Sequence, residues 1–385
     1  MSPYLVVFLV SAGTVLLVTP LVRRIAARLG AIDRPSDRKV HPKPTPTLGG
    51  IGIFAGVLVA MAVAYFIPEF RRLYRQSFEL QGVAMAALVI TGVGLVDDVR
   101  ALSAPAKTAG QILAAGILIL NGVELLFFYF PTQGVISLGS DLAVPLTVAW
   151  VLIMVNATNL IDGLDGLAAG IVAIAAGAFF VWVHVAPSTF NESTSIAALL
   201  AAIAAGAAVG FLPYNFYPAR IFMGDSGSML LGLLLAASTI AGVGRTIQPS
   251  RAALAAFAIP VLIPLFVLAV PLVDVGMAIV RRIRRKRPIF APDKEHIHHQ
   301  LRQIGHTHRR AVLIMYFWSL LLAGAGLAVS FIHDRKVVGV LVVLAVLLIG
   351  ATIVPRRLRE RRRTRSVQKS TGEAVSQAGA GPGAA

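Results

Sequence analysis

Long apolar runs alternate along this chain with short polar connections, and the length of the runs carries the first inference. Eleven of them, at about 4–22, 48–67, 82–96, 108–122, 142–158, 164–184, 195–213, 229–243, 252–280, 313–332 and 337–354, approach or reach the roughly 17–25 residues that cross a hydrocarbon core as helix. The pattern predicts an all-α integral membrane protein of about 11 transmembrane helices. The third, fourth and eighth runs are the short ones, so their ends stay open. No repeat relates the two halves, which gives a single polytopic domain over 1–354 followed by a basic tail at 355–385. After Arg365 that tail lacks the apolar residues to order itself, and it is expected to be disordered.

Composition agrees. With 57% hydrophobic and 14% charged residues, there is too little polar surface to cover a soluble globule of 385 residues. The net charge of +17 invites a nucleic-acid reading, but the basic residues cluster between the apolar runs. With the N-terminus outside, 28 of the 35 Lys and Arg residues fall on the inner side, the positive-inside signature. This predicts an outside N-terminus, a cytoplasmic C-terminus and an odd number of spans. RRIRRKR (281–287) and RRLRERRRTR (356–365) are then topology anchors beside anionic membrane lipid, and no nucleic-acid partner is expected. The first run has its arginines after it and no small-residue cleavage site, so it reads as a retained helix. Without cysteine, neither a disulfide framework nor a thiol nucleophile is available.

The unusual polar clusters collect on the inner face, and each has a plain alternative. IDRPSDRKVHPKPTPTLGG (32–50) holds Lys43 and Thr45 in a rigid proline turn, suited to phosphate contacts or simply a solvated basic loop. ITGVGLVDDVRA (90–101) ends on Asp97 and Asp98, two carboxylates at the negative end of a helix dipole, which costs up to about 1 kcal/mol each where exposed. Something cationic must offset them: Arg100 or Lys107 in a salt-bridged loop, or a divalent cation at a catalytic centre. NLIDGLDGLAAG (159–170) spaces Asn159, Asp162 and Asp165 by three residues, on one side if the stretch is helical, and Asp165 fits a helix cap as well as a ligand. In ARIFMGDSGSMLLG (219–232), Asp225 lies between Gly224 and Gly227 before the eighth run, where capping is again an alternative. DKEHIHHQL (293–301) adds His296, His298 and His299, which suit phosphate contacts or a proton relay better than a closed zinc site. Oxygen ligands without thiolates favour a hard cation, Mg²⁺ or Mn²⁺, held together with substrate phosphates.

Five motifs in this order, DRPSDRKVH…PTLGG, GLVDDV, NLIDGLDGLAAG, PARIFMGDSGS and DKEHIHHQL, resemble those of the polyprenyl-phosphate N-acetylhexosamine-1-phosphate transferases. Within that family the chain is most similar to the bacterial undecaprenyl-phosphate N-acetylglucosamine-1-phosphate transferases. The resemblance implies a plasma-membrane enzyme with its active site facing the cytoplasm. It implies transfer of sugar-1-phosphate from a UDP-sugar, UDP-GlcNAc for this branch, to a polyprenyl phosphate, with release of UMP and a requirement for Mg²⁺. It assigns Asn159 and Asp225 to the metal, Asp97 and Asp98 to the catalytic pair, and Asp162 and Asp165 to the nucleotide-sugar site. Lys43, Thr45, Arg220, His296, His298 and His299 would contact phosphates or sugar. The branch that transfers phospho-MurNAc-pentapeptide shares the acidic motifs but usually has ten spans and an outer C-terminus, so the eleven spans and basic inner tail favour the GlcNAc branch. A cation-coupled transporter is the rival from another class, but transporters place their acids near mid-membrane with internal repeats. An intramembrane aspartyl protease would need a second glycine in the Phe222-Met223-Gly224-Asp225 stretch. Homo-oligomerisation is left open.

Overall fold

Within the described residues, each apolar run becomes a helix. The structure, a computed structural model, describes residues 2–34, 44–130, 134–185, 193–243, 307–331, 339–341 and 343–348. The helices are α1 (Pro3–Arg28), α2 (Gly50–Phe66), α3 (Pro68–Gln76), α4 (Glu79–Arg100), α5 (Ala104–Leu120), α6 (Ser140–Ile161), α7 (Leu167–Val185), α8 (Ser193–Asn215), α9 (Gly224–Val243) and α10 (His308–Phe331). Nine of the expected runs coincide with one helix each; run 252–280 and half of run 337–354 lie outside the described residues. Among the described residues seven helices are long and apolar enough to cross a membrane, or eight if α2 and α3 form one bent span.

Three features depart from the sequence reading. Helix α3 occupies a connection where no element was expected. It is set at 100° to α2, because Pro68 follows Ile67, whose ψ of 123° is extended, and the residue before a proline is driven out of the helical region. It buries Phe70 and Leu73 and exposes Arg71, Arg72 and Arg75, a polar helix whose charge hid it from a search for spans. The second departure is α4, which extends beyond 82–96 at both ends to include Glu79 and the Asp97–Arg100 segment. The third qualifies the all-α expectation. Two antiparallel ribbons sit in connections: β1 (Ile32–Asp33) with β2 (Thr45–Pro46), and β3 (Phe127–Phe130) with β4 (Gly134–Ser137). The second uses FFYF and GVIS, aromatic and β-branched residues that favour strands once they fall outside a helix.

Helices α8 and α9 form the centre. Helix α8 packs against α1, α7 and α9, and α9 against α4, α6 and α8. Leu230, Leu231, Leu233, Leu234, Leu235, Ala236 and Ala237 of α9 are fully buried. Helix α8 approaches α1 through Gly206 and Gly210, where a Cβ would come within 2.4 Å of the Phe8 carbonyl and 2.3 Å of the Ala12 carbonyl. Small residues four apart permit such close backbone packing between apolar helices. Peripheral side chains such as Leu17 and Leu120 point outward, as a lipid solvent permits. Several buried hydroxyls are satisfied locally or across helices, as in the Ser11 Oγ donation to the Ile203 carbonyl at 2.9 Å. The consequence for function is at one end of the bundle. The C-terminal ends of α4 and α6 meet the N-terminal ends of α2, α5 and α9 there, and Asp97, Asp98, Asp162 and Asp225 come together.

Candidate active site

Asp98 resolves the cost of acids at the end of α4. Its Oδ1 accepts the Asp225 backbone N–H at 2.7 Å, and its Oδ2 accepts the Ser226 hydroxyl at 2.7 Å and the Ser226 N–H at 3.3 Å. The carboxylate thus caps α9 from another helix. A charge at the wrong pole of its own helix dipole lies at the favourable pole of its neighbour's, worth up to about 2 kcal/mol in partly buried geometry. The approach requires glycine twice. A Cβ on Gly94 would lie 2.3 Å from Ser226 Cα, and one on Gly224, whose φ is +69°, would lie 2.4 Å from Asp98 Oδ2.

Asp97 faces differently. Its Oδ1 accepts the Leu102 N–H at 2.6 Å and its Oδ2 pairs with Lys107 Nζ at 2.7 Å. The same ammonium donates to Asp225 Oδ2. Lys107 reaches this position because the α4–α5 connection is short: Ala101 takes a φ of +42°, and Ser103 caps α5 by accepting the Ala106 N–H. The Asp97, Lys107 and Asp225 side chains are 12%, 25% and 26% exposed, so the bridge is shielded yet open to solvent on one side. Asn159, in the last turn of α6, donates to Ser228 Oγ at 2.9 Å and interacts with the Asp225 side chain. Asp97, Asp98, Asn159 and Asp225, expected together from separate motifs, are therefore brought together. The sequence named Lys107 only as one possible counter-ion in a salt-bridged loop. The hydroxyls of Ser226 and Ser228 were missed, although two serines following Asp225 are a visible signal.

The expectation of Asn159, Asp162 and Asp165 on one helix side is corrected. Helix α6 ends at Ile161, Asp162 is its C-cap with ψ of 45°, and Asp165 lies in the turn that follows, where Gly166 has a φ of +81°. The glycines break the helix. Asp162 nevertheless faces the cluster: burial first, and then the charges of Asp225, Asp98 and Asp165, hold its carboxyl well above the usual carboxylate range. Asp165 does not cap a helix. Its Oδ2 accepts the Ala219 N–H at 2.9 Å and fixes the loop that carries Arg220, whose side chain is exposed. Asn215 braces the same loop, accepting the Gly166 N–H at 3.0 Å and donating to the Ile221 carbonyl at 3.1 Å, and Tyr316 of α10 donates to the Gly166 carbonyl. Neither Asn215 nor Tyr316 carries a local sequence signal. Thr45 is buried in β2, and the adjacent Pro46 carbonyl accepts the Phe222 N–H at 2.9 Å, tying the proline turn to the Asp225 loop. Lys43, His296, His298 and His299 lie outside the described residues.

The donor set fits a hard divalent cation. Two carboxylates from α4 and α9 converge on one cationic group, with the Asn159 amide beside them, and the chain has no cysteine to offer a thiolate. Among the described residues no group of three or more His, Cys, Asp or Glu side chains is arranged to hold a metal ion by itself; a hard cation at this point would draw its remaining ligands from substrate phosphate and water.

Comparison with known proteins agrees with this geometry. The description Glycosyl transferase family 4 matches residues 80–243, which include both aspartate motifs and the Asn159 turn. The chain is 42% identical to a decaprenyl-phosphate N-acetylglucosaminephosphotransferase of Mycobacterium tuberculosis, over 87% of this chain and 84% of the relative. It is 38% identical to a probable undecaprenyl-phosphate N-acetylglucosaminyl 1-phosphate transferase of Bacillus subtilis, over 81% and 80% of the two chains. It is 30% identical to an undecaprenyl-phosphate alpha-N-acetylglucosaminyl 1-phosphate transferase of Salmonella typhi, over 90% and 93%. A likeness that covers 81–90% of this chain and 80–93% of these relatives means that this chain belongs to the polyprenyl-phosphate N-acetylhexosamine-1-phosphate transferase family.

Proposed function

We propose that the protein transfers N-acetylglucosamine-1-phosphate from UDP-GlcNAc to a polyprenyl phosphate such as undecaprenyl phosphate and releases UMP. It does so from the cytoplasmic face of the cell membrane, with Mg²⁺ required and Mn²⁺ able to replace it. The observation that carries this reading is the convergence of Asp97 and Asp225 on one cationic position, with Asp98 and Asn159 packed around Asp225. The sugar and the lipid are those of its relatives, the decaprenyl- and undecaprenyl-phosphate N-acetylglucosamine-1-phosphate transferases. The eleven apolar runs and the basic tail support the GlcNAc branch over the pentapeptide branch and an eleven-span chain with its C-terminus inside. Acids gathered at helix ends, at one end of the bundle, favour an enzyme over a transporter.

In the reaction an oxygen of the lipid phosphate attacks the β-phosphorus of the UDP-sugar, the bond from that phosphorus to the bridging oxygen breaks, and UMP leaves with the oxygen. A phosphate monoester has its second pKa near 6, so the attacking group is largely dianionic at neutral pH and needs no strong base. Asp225 and Asn159 hold the metal, which when bound neutralises diphosphate charge and assists the leaving UMP. Asp97 orients the reactants from the solvent-open side. Asp98, both of whose oxygens are engaged by the start of α9, serves the pair by holding Asp225 in place. Asp162 and Asp165 shape the nucleotide-sugar site, and Lys43, Thr45, Arg220, His296, His298 and His299 contact phosphate or sugar. The test is UMP release by purified protein given undecaprenyl phosphate, Mg²⁺ and a panel of UDP-sugars. Turnover with UDP-GlcNAc that stops in excess EDTA is expected. Turnover only with UDP-MurNAc-pentapeptide, or full turnover in EDTA, overturns the reading.

A further inference from the structure

Lys107 is the one feature of the junction that a pure metal site does not call for. Its ammonium pairs with Asp97 Oδ2 at 2.7 Å and with Asp225 Oδ2, and so joins carboxylates from α4 and α9 at the point where two hard anionic oxygens converge. A cation held there lowers the repulsion between acids whose other partners, the Leu102 N–H at Asp97 and the Asn159 amide at Asp225, are neutral. Asp98, the third carboxylate, is already neutralised in part by the N-terminal dipole of α9. The ammonium and a divalent ion have overlapping claims on the same oxygens, and both cannot use Asp225 Oδ2 fully at once. Lys107 sits at the start of α5 on a flexible four-carbon stem, so the group can swing away from the carboxylates without moving a helix. Its side chain is 25% exposed, so solvent, and a phosphate arriving from solvent, can reach it.

We infer that Lys107 is an internal counter-ion that occupies the cation position between Asp97 and Asp225 until a divalent metal displaces it. This rests on the proposed metal site. Lys107 is accordingly a positioning residue in the metal-free protein, keeping α4, α5 and α9 in register, and a competitor of the metal. Competition of this kind weakens apparent metal affinity by the fraction of molecules in which the lysine has left the acids. If the paired state dominates by about ten to one, removing the ammonium tightens the metal about tenfold.

The experiment measures Mn²⁺ binding directly, by the loss of its free-ion paramagnetic resonance signal, on purified full-length protein without substrate, alongside thermal unfolding in EDTA and in Mn²⁺. Lys107→Met keeps the length and apolar stem and removes the charge; Lys107→Arg keeps the charge. Lys107→Met is expected to bind Mn²⁺ about tenfold more tightly than wild type, to unfold at a lower temperature in EDTA, and to gain more from Mn²⁺ than wild type does. Lys107→Arg is expected to stay within about threefold of wild type in Mn²⁺ affinity. Should Lys107→Met unfold in EDTA altogether, purification in Mn²⁺ followed by Mn²⁺ titration of Lys107→Gln gives the same affinity comparison. Equal or weaker Mn²⁺ binding by the neutral variants, with a saturable site intact in wild type, overturns the exchange but leaves the metal site standing. Absence of a saturable Mn²⁺ site in wild type overturns both.

Discussion

The strongest consequence of the cross-helix cap concerns stability. Asp98→Ala removes the acceptors of the Asp225 N–H, the Ser226 N–H and the Ser226 hydroxyl. It leaves two backbone donors at the start of a helix without their partner, next to Ser226, which is fully buried. Hydrogen bonds to a charged group contribute about 1.5–3 kcal/mol each, and the carboxylate also interacts with the α9 dipole for up to about 2 kcal/mol. Against this, a buried carboxylate gives up hydration on folding, and its removal recovers that cost. The third bond, at 3.3 Å, is long and contributes least. Two good bonds, the dipole and the recovered desolvation leave a net loss of about 2–4 kcal/mol for Asp98→Ala. Asp98→Asn retains one acceptor for the Asp225 N–H, and Asn caps about as well as Asp, so roughly half of that loss remains. Asp97→Ala gives up one hydrogen bond from Leu102 and a partly exposed ion pair, which together amount to about 1–2 kcal/mol. Reversible unfolding in mixed micelles, in EDTA so that metal does not contribute, should therefore rank the variants wild type, Asp97→Ala and Asp98→Asn, then Asp98→Ala. Asp98→Ala as stable as Asp97→Ala would refute the cap as the reason for the second aspartate.

Three further outcomes follow from the same junction. Asp225→Asn keeps the size of the side chain and leaves the Asp98 cap of α9 in place but withdraws a formal charge from the proposed metal position, so UMP release should fall about a hundredfold or more with expression little changed; Asn159→Ala should fall similarly, and the double variant should lose much less than the sum. Gly94→Ala drives a methyl to 2.3 Å from Ser226 Cα and should cost about 1–3 kcal/mol of unfolding free energy, whereas Gly92→Ala, with nothing within 4 Å of the new atom, should be nearly silent. Asp162 has its pKa raised by burial and by neighbouring carboxylates, so the folded state binds its proton more tightly than the unfolded state and stability falls as pH rises from the ordinary carboxylate value of about 3.9. Asp162→Asn, which mimics the protonated form, should be more stable than wild type in metal-free protein at neutral pH, and the advantage should shrink as pH drops through the raised value; a constant difference from pH 4 to pH 7 would contradict this.

The sequence by itself determined the class of protein and the reactive vocabulary. Apolar run length is a local property fixed by bilayer thickness, so nine helices could be read along the chain with no knowledge of their packing. The acids were legible for a related reason: Asp97, Asp98, Asp162 and Asp225 stand out because a carboxylate near lipid needs a partner. Who the partner is was not legible. Asp98 caps α9 across 127 residues, Lys107 joins Asp97 to Asp225 across 118, and Asn215 and Tyr316 brace the Gly166 turn from two other helices. Such pairings depend on which helix ends share one end of the bundle, and helix order in sequence does not encode that. The same limit explains α3, whose position is set by the bend at Pro68 and the burial of Phe70 and Leu73 rather than by hydropathy. It also explains the three-residue spacing of Asn159, Asp162 and Asp165, which has meaning on a helix but lost it where the glycines ended one. The tertiary structure alone decided which acid is a cap, which faces solvent and which shares a cation, because each role is set by a neighbour that only packing supplies.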